Sequence, residues 1–157
     1  MIYITSLITR KINIPMSECG KNMTDILIHY LQPLEGKCID EGYLKKGSIK
    51  IISHDSGKLF KHYITFVVVF EGSIALPTVN QQLVCEVESN TIAGLQCKLH
   101  MEVESPFIIF LAKDHHMDNT EFFQCDVGSI IHVSVLGQRF SINDSNISVI
   151  AKLLYKQ

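Results

Sequence analysis

The 157-residue sequence predicts a mainly β (α+β) chain, with one helix packed on an antiparallel sheet and a five-stranded barrel after it. Three observations predict this. Runs rich in β-branched and aromatic residues recur along nearly the whole chain. A single segment, beginning at Met23, carries a clear helical stripe. Pro77-Thr78-Val79-Asn80 then separates an N-terminal module, residues 1–78, from a C-terminal one, residues 79–157. With 46% hydrophobic and 19% charged residues, both modules have the composition of folded cores.

In the first module, Ile2 to Ile14 is a long β-rich run stopped at Pro15. Asn22 is placed to cap a helix from Met23, and Asp25 supports its first turn. Ile26, Leu27, Tyr30 and Leu31 form the apolar stripe and Pro33 ends it, so the helix should lie on a sheet. Strands resume at Ser48–Ser53 and His62–Phe70, with His54-Asp55-Ser56-Gly57 as a turn between them. The near-continuous apolar run of the second predicts a strand covered on both faces.

Beyond the boundary the strands are Gln82–Ser89, Leu95–Met101, Phe107–Leu111, Ser129–Leu136 and Ile147–Leu154. A polar excursion, Lys113 to Val127, separates the third from the fourth. Five short strands with that excursion are what a Greek-key barrel of OB type requires, although a sandwich fragment has a similar pattern.

The formal net charge of −2 hides an asymmetry. Residues 1–78 carry nine bases and seven acids, while residues 79–157 carry five bases and nine acids. A net acidic barrel is poorly suited to tight, sequence-independent RNA binding, which relies on cations to displace counterions. The opening apolar run is short and is followed by Arg10 and Lys11, the reverse of a secretory signal. No segment approaches the roughly 20 apolar residues of a membrane span, so a soluble, intracellular protein is expected.

Five widely spaced cysteines (Cys19, Cys38, Cys85, Cys97, Cys125) include no Cys-x-x-Cys pair and are expected to be buried, reduced thiols. A Cys/His enzyme has no recognisable motif in support. His115-His116 with Asp114 and Asp118 lacks a second cluster of metal ligands and reads as a solvated loop. No cofactor or metal is expected. Lys45-Lys46-Gly47, with Lys50, Lys58 and Lys61 after it, is the densest basic region. It is either a solvated hairpin or a cationic tip that docks on an acidic partner. On the barrel, Lys98, His100, Lys113, Arg139 and Phe140 are candidate RNA contacts, mixing cations with an aromatic. Phe107 opens an apolar run and reads as core, whereas Arg139-Phe140 falls at a predicted turn.

Taken in order, these pieces resemble one family. Met1-Ile2-Tyr3-Ile4 with Leu7, Ile12 and Ile14 is similar to the first strand of the stalk subunit of multisubunit RNA polymerases. In that family stand the seventh subunit of RNA polymerase II and its archaeal counterpart. Leu34-Glu35-Gly36-Lys37-Cys38 resembles its Glu-Gly-x-Cys entry into the tip strands, and His62 to Phe70 its following long strand. Ala93-Gly94-Leu95, Pro106-Phe107-Ile108, Gly128 to Gly137 and Ile147 to Leu154 are similar to successive barrel segments. The match is colinear from residue 1 to about 155. Departures are Gln81-Gln82-Leu83-Val84 where the family has a glycine before two valines, and Leu95 in place of an aromatic.

The resemblance implies a non-catalytic subunit of a DNA-directed RNA polymerase, acting in transcription. Its tip domain, residues 1–78, would dock at the clamp base through Glu35, Gly36, Lys45, Lys46, Gly47 and Lys50. Its OB-fold barrel, residues 79–157, would lie near exiting RNA. The partners implied are the large core subunits, a second stalk subunit like the fourth subunit of RNA polymerase II, and nascent RNA bound weakly. So compact a version suits a large DNA virus that encodes its own polymerase, with a diverged cellular subunit as the other source. The location implied is the nucleus, or a cytoplasmic viral factory and the virion. The alternative is a free-standing OB-fold RNA-binding protein.

Overall fold

The computed structural model describes residues 2–100 and 102–157. Met1 of the opening run and Met101, the expected end of the second barrel strand, lie outside them. The chain divides between Ala75 and Leu76 into two compact units.

The first unit is one antiparallel sheet folded around a helix. Its elements are β1 (Tyr3–Pro15), α1 (Met23–Leu31), β2 (Lys37–Ile39), β3 (Gly42–Leu44), β4 (Lys50–His54), β5 (Lys58–Phe60) and β6 (Tyr63–Ala75). β6 is the hub. It pairs with β1 over thirteen residue pairs without a register shift, from Tyr3↔Ala75 to Pro15↔Tyr63. Along its other side it pairs in turn with β5, β4 and β3, and β2 adds to β3.

α1 forms where the apolar stripe predicts it. Leu27 and Leu31, four residues apart on one face, are fully buried among Ile8, Ile14, Phe66, Val68 and Phe70. Burying two leucines stabilises the seat by about 1.5–3 kcal/mol each. Asn22 occupies the N-cap position, but its side chain makes no cap bond; its carbonyl accepts from the Ile26 amide at 3.2 Å. The turn Gln32-Pro33-Leu34 ends the helix, Pro33 having no amide hydrogen to continue it.

Four expectations are corrected here. β6 runs five residues past Phe70, through Glu71-Gly72-Ser73. The strands β2, β3 and β5, each of three residues, have no counterpart in the sequence reading. β6 is covered on one face only: Phe66, Val68, Phe70 and Ile74 are buried, while Thr65, Val67, Val69 and Glu71 on the outer face are half-buried. Cys19 is half-buried, unlike the other four cysteines.

The second unit contains β7 (Gln82–Asn90), β8 (Gly94–Leu99), β9 (Phe107–Ala112), the single helical turn α2 (Thr120–Phe123), β10 (Ile130–Arg139) and β11 (Ile147–Lys156). These strands close a barrel in the order β7-β8-β9-β11-β10 and back to β7. All pairs are antiparallel except β9 with β11. That order is the OB-type barrel expected from the strand pattern. Alternate residues fill it: Leu83, Cys85 and Val87; Leu95, Cys97 and Leu99; Phe107, Ile109 and Leu111; Ile131, Val133 and Val135; Ile147, Val149 and Ala151.

The excursion after β9 is more ordered than a solvated loop. Asn119 caps α2, its Oδ1 accepting from the Phe122 amide at 3.1 Å. His116 is 3% exposed and stacks on buried Phe122, ring centroids 4.3 Å apart. The Leu153 amide donates to His116 Nε2 at 2.9 Å, so that nitrogen accepts. Nδ1 therefore carries the proton and donates to the Ala112 carbonyl at 2.6 Å. A neutral imidazole thus ties the end of β9 to β11.

Candidate interaction surfaces

The six candidate docking residues come together on the first unit. Glu35 leaves the turn after α1, and its Oε2 accepts from the Ile49 amide at 3.4 Å, so its role is to hold the next loop in place. The Gly36 amide donates to the Leu44 carbonyl at 2.8 Å, and the Lys46 alkyl stem lies directly over Gly36. Lys45 and Ser48 bracket a tight turn with exposed Gly47 inside it. The Lys45 amide donates to the Ser73 carbonyl at 3.0 Å, and Ser48 Oγ accepts from the Ser73 amide at 3.1 Å. The turn is thereby pinned to β6. Lys45 Nζ sits 4.9 Å from the Tyr3 ring centroid, a cation–π geometry. Lys50 opens β4 opposite Glu71. Lys45, Lys46 and Lys50 are all exposed, so three cations share one rigid turn and strand start.

The five candidate RNA contacts do not form one patch. Lys98 is half-buried on β8, opposite Glu86. The neighbouring His100 amide donates to the Val84 carbonyl at 2.9 Å, and its ring Nδ1 is buried. Lys113 lies at the other end of the barrel, its amide donating to the Ala93 carbonyl and its Nζ 5.9 Å from the Phe123 ring centroid. Arg139 ends β10 opposite Ser148 rather than sitting in a turn, and Phe140 after it is half-buried.

The strand register nevertheless aligns two of them with residues that sequence reasoning missed. Gln96 faces Phe110, and Phe110 faces Ile150; Ile108 faces Ser148, and Ser148 faces Arg139. Continuing the β8–β9 register by one step sets Lys98 beside Ile108. This outward face of β8, β9, β11 and β10 therefore carries half-buried Phe110, exposed Ile108 and Ile150, and the cations Lys98, Arg139 and Lys152. An aromatic and aliphatic floor with flanking cations stacks bases and neutralises phosphates. Phe107 is core, in keeping with its place in the apolar run. The signal for Phe110 is parity alone: with Phe107, Ile109 and Leu111 inward, Ile108 and Phe110 must point outward.

All five cysteines are free thiols. Burial pushes Cys97 up to about 12, with Cys125 and Glu88 adding to the shift. Burial likewise raises Cys85 and Cys125. A thiol held protonated at neutral pH is a poor nucleophile and a poor metal ligand. Among the described residues, no three His, Cys, Asp or Glu side chains converge as a metal site. No described helix is long and apolar enough to cross a membrane. No protein-family model matches the chain, and no curated protein matches it.

Proposed function

We propose that the chain is a non-catalytic stalk subunit of a DNA-directed RNA polymerase. The observation that carries this reading is the order of parts. A helix seated on an antiparallel sheet comes first, then a Glu35-Gly36 turn and a long hub strand, then a closed OB-type barrel. The colinear resemblance asks for that same order. In this reading the turn bearing Lys45, Lys46 and Lys50 docks on an acidic surface of the large core subunits. A second stalk subunit and weakly held nascent RNA complete the setting, in a nucleus or in a viral factory and virion. No bond chemistry is assigned to the chain.

Affinity purification of the tagged chain from its native cells, followed by mass spectrometry, tests this. The large polymerase subunits should co-purify. The triple variant Lys45→Glu, Lys46→Glu, Lys50→Glu should lower their recovery by about tenfold while the chain stays folded. Recovery of the chain alone would sink the proposal.

A second reading, a free-standing OB-fold RNA-binding protein, is favoured by the Phe110–Ile150 face with its three cations. It requires the isolated chain to bind single-stranded RNA with a steep loss of affinity as salt rises.

A further inference from the structure

The geometry points to a β-augmentation site on the free edge of β1: residues Ile4–Ile8 accept an extended, acidic segment of another polypeptide as an additional strand. The site is open whether or not the chain belongs to a polymerase. β1 pairs with β6 along its full length and with no other strand among the described residues. Strand edges present alternate amides and carbonyls to solvent, and proteins usually guard them with charges, prolines or bulges. The second half of β1 is guarded in this way. Arg10 Nη1 donates to the Thr9 carbonyl at 3.0 Å, Lys11 follows, and Pro15 ends the strand.

The first half has none of these devices. Ile4-Thr5-Ser6-Leu7-Ile8 contains no charge and no proline, and its register against β6 has no bulge. No backbone hydrogen bond other than the β6 ladder reaches it among the described residues. Ile4, near the start of the strand, is 70% exposed and Leu7 within it 69% exposed, an unusual state for large aliphatics of a regular strand. A short uncharged β-rich segment on an open edge is a template for strand addition, in which backbone bonds give affinity and alternate side chains give selectivity.

Charge selects the partner. On the outer face of this unit's sheet, Lys11, Lys50 and Lys58 are exposed cations on β1, β4 and β5. The one acid among its described strand residues, Glu71, faces Leu7 on one side and Lys50 on the other. Arg10, the remaining cation of β1, is already neutralised by Glu41. A strand laid along Ile4–Ile8 and continuing past Thr9 brings its next side chains beside Lys11. It therefore matches the site best when it is apolar at alternate positions and acidic at that end.

Panning a display library of short random peptides against the intact chain tests this, followed by affinity measurement on synthetic copies of the winners. Enriched peptides should alternate apolar residues with Asp or Glu near one end. Leu7→Glu should weaken them about tenfold. Lys11→Glu should weaken them about fivefold and should favour versions whose acids are replaced by lysine. Neighbouring residues of an edge strand point their amides to opposite sides. One of Ser6→Pro and Leu7→Pro should therefore leave the circular dichroism unchanged and abolish binding. Absence of enrichment, or winners indifferent to all of these substitutions, overturns the proposal. So does sedimentation showing that the chain self-associates and that Leu7→Glu returns it to a monomer, because a second copy would then occupy the edge.

Discussion

A Cβ built on Gly94 would lie 2.1 Å from the Leu111 carbonyl oxygen, and Gly94 has φ +151°. Both the close approach of the β9 backbone at the end of the β8–β9 ladder and the backbone angle exclude a side chain there. Gly94→Ala should therefore cost about 2–4 kcal/mol in urea denaturation. Gly137→Ala, with nothing within 4 Å of the added carbon, should stay within about 0.5 kcal/mol. Equal costs at the two positions would contradict the close approach of β9 to Gly94. The thiol of Cys97 gives a second residue-scale expectation. Its ordinary value of 9.0 rises on folding to about 12 because burial penalises the thiolate. A folded value above the unfolded one means that the thiol's contribution is complete below pH 9. It is then lost as pH rises toward about 12, because the unfolded chain releases the proton first. Stability should fall by about 1.4 kcal/mol per pH unit for this thiol above pH 9. Urea midpoints of Cys97→Ala should decline less steeply than those of the wild type over that window; identical slopes would refute the assignment.

α1 has two fully buried side chains, Leu27 and Leu31, with Met23, Ile26 and Tyr30 packed at the margin, so its seating should be readable from either of the two. Leu27 is fully buried, and Leu27→Ala should cost about 2–5 kcal/mol by urea unfolding. A cost under about 1 kcal/mol would mean that the helix is not seated on the sheet. This element is legible in the sequence because nine residues repeat the stripe more than twice before Pro33 ends it. The barrel strands are legible because inward and outward residues alternate over six residues or more. β2, β3 and β5 are not, because three residues span barely more than one strand period. The last five residues of β6 are hidden because the apolar run stops at Phe70, before Glu71-Gly72-Ser73. In the fold a Cβ at Gly72 would meet Leu44 Cδ1 at 2.6 Å, so the missing side chain makes room for β3. His116 reads as a loop residue because its two hydrogen-bond partners, at Ala112 and Leu153, are a backbone carbonyl and a backbone amide. Backbone partners leave no trace in a residue pattern. Of the candidate docking residues, Lys45, Lys46, Gly47 and Lys50 follow from a run of lysines and lie on one turn and the strand start after it, while Glu35 and Gly36 follow from the resemblance alone. The RNA candidates follow from residue type and scatter over the barrel.

Across the whole molecule, charge is divided unevenly between the two units. The first unit has an excess of bases, concentrated near one turn, and the barrel has an excess of acids, with three cations on its Phe110 face. If that face holds single-stranded RNA, log Kobs should fall with log salt at a slope of about −2, each phosphate contact giving about −0.7. Arg139→Ala should make the slope shallower by about one such step, as read by fluorescence polarisation in a salt titration. A slope unaffected by Arg139→Ala would remove this face from the RNA path. The parallel pairing of β9 with β11 has a consequence in time as well as in space. β11 lies between β9 and β10 in the closed wall, yet it is the last of the barrel strands to leave the ribosome. Until Ile147–Lys156 emerges, the nascent barrel is an open cylinder with β9 and β10 both unpaired at the seam. Completion of the wall must then wait on translation, and a chaperone that shields this gap would find its substrate in the half-made protein alone.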